Sequence, residues 1–266
     1  MTDIDTTNKE KNITLAFFDI LGTSDKIKDD QYKKVYDFYS YMVDLCSQEQ
    51  IPLSFSKLPG HSEGNADIVI DYSMKHAFFS DTFIIWIEYQ TLFGMSLRGF
   101  YEKCMDIFVE AIKRGIPLRG AIARGSAIMD EKRKIFLGKP IVEAARAESA
   151  QNWLGIGLTK SCQKVTVSEA WLLLPYEKHI KDKYANKGEK LFTNCVLDWP
   201  KYWRNTQNED VIALIEKMND NQAYYSYYDN TIAFIKYSEM NNNYWEDKLP
   251  PTPPLKPLLV LRPKKR

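Results

Sequence analysis

Hydrophobic and polar positions alternate along this chain in two rhythms, and the rhythms mark out its elements. Residues 14–19 form an apolar run that ends in one acid, Asp19, before the break at Gly22, and read as a strand. Tyr32–Cys46 sets Val35, Phe38, Tyr39, Met42, Val43 and Cys46 three and four apart, the spacing of an amphipathic helix. Pro52, Pro59 and Gly60 mark a loop, residues 61–65 an exposed turn, and residues 68–72 and 76–88 two strands. Helical spacing returns over Leu97–Lys113 through Phe100, Cys104, Ile107, Phe108, Ala111 and Ile112, with Arg114 and Gly115 as its stop.

Beyond Pro117, residues 118–124 read as a strand with a turn at Gly125, 130–134 as a basic hairpin and 135–137 as a further strand. Pro140 suits the first turn of a helix over 141–153, where its missing N–H has no intrahelical partner anyway. Residues 165–167 read as a strand entering a short capped helix at 168–171, 175–190 as a charged loop, 195–199 as a last strand, and 209–218 and 223–240 as helices. Residues 249–266 hold six prolines and a basic end, an extended tail. Strands alternating with helices predict an α/β or α+β sheet with helices on one side.

At 266 residues, with 44% hydrophobic and 13% aromatic side chains, the chain has enough apolar material for one sizeable core, which excludes a disordered protein. Its 36 basic and 35 acidic residues leave a formal charge of +1, no footprint for a nucleic acid polymer. Cys46, Cys104, Cys162 and Cys195 form no CxxC pair, so neither a zinc site nor a disulfide framework is indicated, and the thiols are expected reduced and mostly buried. The first residues lack the order of a signal peptide, and no apolar run reaches the roughly 18–20 residues that span a bilayer. A cytoplasmic protein without a membrane partner is the expectation.

Two acids stand out against this background. A lone carboxylate at the exit of an apolar strand is costly to bury without a partner, and Asp81 interrupts the apolar run 76–86 as Asp19 ends its own. Two such acids suit hard divalent cations shared with substrate phosphates. The histidines His61, His76 and His179 have no metal-ligand spacing.

Four segments together, over about residues 14–170, resemble the catalytic domain of class III nucleotidyl cyclases: Phe18-Asp19-Ile20-Leu21-Gly22, the acid Asp81, the run from Leu118 to Gly125, and the Ala-x-Arg-x-Glu sequence from Ala144 to Glu148. The resemblance implies a ferredoxin-like fold, a mostly antiparallel sheet flanked by helices, and closure of a nucleoside triphosphate to its 3′,5′-cyclic monophosphate with release of pyrophosphate. It implies that Asp19, Asp81 and the Ile20 carbonyl hold two divalent cations, Mn²⁺ or Mg²⁺, that backbone N–H groups from Phe18 through Leu21 to Gly22 cradle the triphosphate, and that Arg146 stabilises the transition state. It further implies a homodimer whose two sites draw the acids from one protomer and the arginine from the other. The domains expected on this basis are a flexible 1–12, a catalytic domain 13–205, a helical extension 206–248 and a Pro-rich tail 249–266.

Departures from the family pattern bear on the base. The two positions where adenylyl cyclases carry polar adenine readers are Ala77 and Ile135, and the family's helix Asn is Val142. The guanylyl pattern is missing too. A cyclase without purine readers looks like the pyrimidine cyclases of bacterial anti-phage defence, which implies UTP, or CTP, as substrate and a downstream effector protein that responds to the cyclic nucleotide. Base contacts would fall to other groups, such as the loop 55–65. The alternatives are a catalytically inactive, dimerising cyclase homologue and a metal-dependent phosphodiesterase or polymerase-like palm. Scarce histidine and near-neutral charge weigh against the last two enzymes.

Overall fold

The computed structural model describes residues 10–22, 32–47, 50–54, 67–71, 74–88, 97–163, 167–185, 191–246 and 248. The expected turn at 61–65, the loop 55–65, the strand residues Val165 and Thr166 and the tail 249–266 lie outside them, as do residues 1–9. In chain order the elements are β1 (Glu10–Ile20), α1 (Tyr32–Cys46), β2 (Gln50–Ser54), β3 (Asp67–Asp71), β4 (Lys75–Phe79), β5 (Thr82–Glu88), α2 (Leu97–Lys113), β6 (Leu118–Asp130), β7 (Ile135–Gly138) and α3 (Lys139–Ala150). They continue with β8 (Ile156–Thr159), the short α4 (Val167–Ala170), β9 (Leu173–Pro175), α5 (Asp182–Ala185), β10 (Phe192–Leu197), α6 (Trp199–Thr206), α7 (Val211–Met218) and α8 (Tyr225–Met240).

The main sheet runs β4-β5-β1-β6-β8-β10-β9, with β7 paired to β6. Its first half is the β-α-β-β-α-β unit of a ferredoxin-like fold: β1 lies between β5 and β6 and pairs antiparallel with both, and β4 forms a hairpin with β5. Among the described ladders only β6–β8 is parallel. Strand alternation sends Ala16, Phe18 and Ile20 to one face, where they meet α1, α2 and the C-terminal helices in the larger core. Leu15 points the other way, into a smaller core with Ala123, Ala127 and Ala144 of α3. Helices therefore cover both faces, not one. Trp199, Trp203, Val211, Ile215, Phe234 and Ile235 join the larger core, so α6–α8 pack into the same body as the β-α-β-β-α-β unit.

Several element boundaries differ from the sequence reading. Residues 10–12 continue β1 instead of fraying, because β6 runs on opposite them as far as Ile128. Gly125 makes no turn: it sits inside β6 opposite Ile13, and the chain reverses at 131–134, where Lys134 takes φ 59°. Residues 76–88 break into a hairpin at Ser80 and Asp81. Pro52 lies in β2, which pairs with β3 as a separate ribbon. Val167 opens a helix, and Trp199 belongs to α6, capped by Asp198 through the Lys201 N–H. The helix expected to end at Trp153 stops at Ala150, and residues 156–159, unassigned from sequence, form the buried strand β8.

Candidate active site

The end of β1 and the tip of the β4–β5 hairpin meet at one edge of the sheet. Asp19 pairs with Thr82 across one ladder and with Arg119 across the other. Asp81 occupies the hairpin turn beside Ser80, whose φ of 65° makes the turn tight, and its carbonyl accepts the Ile20 N–H at 3.0 Å. The Tyr39 hydroxyl of α1 donates to the Ser80 carbonyl at 2.9 Å. Burial pushes the Tyr39 pKa up, and the charges of Asp81 and Asp19 push it further, so one phenol feels both carboxylates. The two expected acids converge.

Cross-strand neighbours share a face, and Arg119 uses that position. Its Nη2 donates to Asp19 Oδ2 at 2.8 Å and lies 2.7 Å from Glu148 Oε1 on α3, off the hydrogen-bond line; Nη1 reaches the Gln151 carbonyl at 3.5 Å. The ring of Tyr227, from α8, sits 5.3 Å from the guanidinium carbon, within cation–π range. Burial works against the charge on Arg119, but Glu148 and Asp19 outweigh it and raise its pKa. Glu148, 3% exposed, is pushed up to about 7, chiefly by burial and then by Asp19, against the pull of Arg119, Ser149 and Lys181.

The turn after β1 is closed from above. Gly22 holds φ 72°, a conformation that glycine adopts without steric cost, and the Tyr224 ring stands 3.0 Å from where its Cβ would be. The N–H of Ile20 goes to Asp81 and that of Leu21 to the Pro117 carbonyl at 2.8 Å, while the Phe18 backbone lies in the β1 ladders. Donors expected to cradle a triphosphate are thus spent on the backbone as far as Leu21. The Phe18 side chain is core: it stacks on Phe83 at 5.0 Å.

Arg146 lies elsewhere on the protomer. It is two positions before Glu148 on α3, roughly 200° round the helix, and exposed, and it lines an open groove of about 620 Å³ with Lys139, Val142, Glu143 and Lys160. Ala77 packs in the smaller core with Ile84 and Trp86, and Ile135 is 43% exposed at the start of β7. The sequence reading missed Arg119, Glu148 and Tyr227 as site residues. The available signal was a charge in an otherwise apolar strand, Leu118 to Ala123, and an acid between Ala147 and Ala150 on a helix.

Carboxylate and backbone carbonyl oxygens are the donors hard cations take, so the edge built by Asp19, Ile20 and Asp81 fits a divalent ion. Among the described residues no three His, Cys, Asp or Glu side chains form a metal cage. That is compatible with Mg²⁺-type binding, which uses one or two carboxylates and completes its shell from substrate phosphates and water. No helix among the described residues is long and apolar enough to cross a membrane.

No family model and no curated protein matches the chain. Among solved structures it is similar to a bacterial light-regulated adenylyl cyclase, with 14% identity and a TM-score of 0.44 over 79% of this chain and 57% of that one, so it spans little more than half of that protein. It is also similar to the guanylyl cyclase Cya2, with 13% identity and a TM-score of 0.39 over 71% of this chain and 90% of the other.

Proposed function

We propose that the chain is a pyrimidine nucleotide cyclase that converts UTP to 3′,5′-cyclic UMP and pyrophosphate, and that it works as a homodimer. The observation that supports this reading most directly is the convergence of Asp19 and Asp81 at one sheet edge, tied by the Ile20 N–H to the Asp81 carbonyl. In the reaction the ribose 3′-hydroxyl attacks the α-phosphorus, the bond to the bridging oxygen breaks, and the hydroxyl proton leaves. Asp19, Asp81 and the Ile20 carbonyl would hold two divalent cations, Mn²⁺ or Mg²⁺, which acidify the hydroxyl and offset the charge on the leaving pyrophosphate. Arg119 orients Asp19 by holding its Oδ2.

Arg146 faces away from Glu148 on its own protomer, and in this reading it serves the site of a second copy, where its planar charged fork meets the transition state. Two sites related by a twofold axis result. Ala77 and Ile135 stand where the family's polar purine readers would be, which argues against a purine; a pyrimidine, and UTP over CTP, rest on the family resemblance. The cyclic nucleotide would then act as an alarm signal read by an effector protein in anti-phage defence.

The test incubates the purified protein with each of the four nucleoside triphosphates and Mn²⁺ and identifies the product. Cyclic UMP is expected; cyclic CMP would move the base assignment, cyclic AMP or GMP would overturn the base argument, and no product would leave an inactive homologue. Mixing Asp81→Asn chains with Arg146→Ala chains should restore activity. Heterodimers that form without rescue would sink the shared site.

A further inference from the structure

We infer that Tyr224 is a positioning residue of the candidate active site: its ring holds the turn at Gly22 and, through that turn, the Ile20 carbonyl next to Asp19. What the carbonyl binds rests on the cyclase reading; what the ring holds rests on geometry alone. Tyr224 lies outside the span of about 14–170 that resembles the cyclases, so the resemblance assigns it no role.

The segment from Asp19 to Gly22 is held at both ends by rings from α8 and the short turn before it. At one end Arg119 grips Asp19 and rests on the Tyr227 ring. At the other the Tyr224 ring stands over Gly22, with its Cε2, Cζ and hydroxyl oxygen 3.0, 3.3 and 3.5 Å from the point a Cβ would occupy. The two rings meet edge to face at 6.3 Å, so each backs the other. Glycine has more conformational freedom to lose than any other residue, and Gly22 already holds φ 72°. A ring seated against it leaves the turn no room to open on that side.

Between those ends the backbone direction is fixed. The Ile20 N–H goes to the Asp81 carbonyl and the Leu21 N–H to the Pro117 carbonyl. A planar trans peptide sets the Ile20 carbonyl opposite the Leu21 N–H, hence away from Pro117. If the turn opens, the Leu21 N–H leaves Pro117 and the Ile20 carbonyl swings with it. Tyr224 can resist that because its own place is built. Its N–H donates to the Asn221 carbonyl at 2.9 Å, and the Asn221 Oδ1 accepts the Ala223 N–H at 3.0 Å. Behind it α8 is tied to residues 152–154: the Asn230 Nδ2 donates to the Asn152 carbonyl at 2.7 Å, and the Thr231 Oγ1 accepts the Leu154 N–H at 2.8 Å.

The experiment compares the full chain with its Tyr224→Ala and Tyr224→Phe variants and, as a control on an exposed neighbour, Tyr225→Ala. Hydrogen exchange of the metal-free, ¹⁵N-labelled proteins reads the turn: Tyr224→Ala should speed exchange of the Leu21 amide at least tenfold through local opening, while amides in the middle of β6 keep their wild-type rates. Titration with Mn²⁺ followed by electron paramagnetic resonance reads the cation: affinity should fall about 10–100-fold, the range for removing a group that orients a metal ligand. Tyr224→Phe, which keeps the ring, and Tyr225→Ala should stay close to wild type in both. A tyrosine with a merely structural role would lower the unfolding midpoint and leave the Mn²⁺ affinity of the folded chain unchanged, and that result overturns the proposal. So does an unchanged Leu21 rate, or a Tyr224→Phe or Tyr225→Ala protein that behaves like Tyr224→Ala. A wild-type chain that binds no Mn²⁺ overturns the cation site of the cyclase reading, and the role of Tyr224 there falls with it, whatever the exchange rates.

Discussion

Replacing Arg119 by Met removes the one cation among the described residues that touches both Asp19 and Glu148. In the native chain each ion pair is worth roughly 4 kcal/mol at an effective dielectric of about 20, set against a desolvation penalty of several kcal/mol per buried ion. The side chains of Arg119 and Glu148 are only 8% and 4% exposed, so the charge left behind cannot be rescued by water. A loss of about 3–5 kcal/mol is expected from stranding such a partner. The loss depends on pH with a definite sign. Glu148 is already raised to about 7, with Arg119 holding it down and Asp19 and burial driving it up. Since its folded pKa lies above the unfolded value, ionised Glu148 costs stability, a cost absent below about pH 4.5 and complete above about 7. Without Arg119 its pKa climbs further, so the cost of Arg119→Met should be smaller near pH 5 and larger at pH 8. Urea melts at the two pH values measure this, and Arg119→Met with Glu148→Gln should recover part of the loss, a coupling of about 0.5–3 kcal/mol. A cost independent of pH, or strictly additive single mutants, would refute the reasoning.

Tyr227→Leu takes the ring from beneath Arg119 and should cost about 0.5–2 kcal/mol and weaken Mn²⁺ binding followed by electron paramagnetic resonance, whereas Tyr227→Phe, which keeps the ring, should stay close to wild type. Gly120→Ala would set a Cβ 2.5 Å from the Phe18 ring, which is pinned against Phe83; about 1–3 kcal/mol should be lost, lowering Tm by roughly 2–4 °C per kcal/mol in calorimetry. Arg146→Ala should lower kcat by about 10²–10³ without moving the unfolding midpoint, and an effect confined to KM would remove it from the transition state.

Elements with a strong periodic signal are readable from sequence with the right bounds. Tyr32–Cys46 and Leu97–Lys113 show their three-and-four spacing in full, because each lays one stripe on the core. Short buried strands are not readable in this way. Ile156–Thr159 has four buried residues and no alternation, since both its faces are covered, and Gly125 reads as punctuation until its neighbour strand is known. At the site, Asp19 and Asp81 can be found because each breaks an apolar run by itself. Arg119 cannot be assigned, because what defines it is partners 100 residues back and 29 residues on, a relation carried by strand register and helix placement. Tyr227 is one tyrosine among several in a helix, and only the docking of α8 makes it different.

The contacts around Arg119 also set a clock. Asp19, Arg119 and Tyr227 come from β1, β6 and α8, so the guanidinium cannot have its full surroundings until α8 has been made. At synthesis rates of about 5–20 residues per second, the stretch from Arg119 to Tyr227 takes roughly 5–20 s. During that interval a nascent chain can pair β1 with β6 but holds an arginine whose aromatic cover does not yet exist. Pairing across such separations is intrinsically slow, and here the last long helix among the described residues completes the setting of the Asp19 carboxylate at the end of β1.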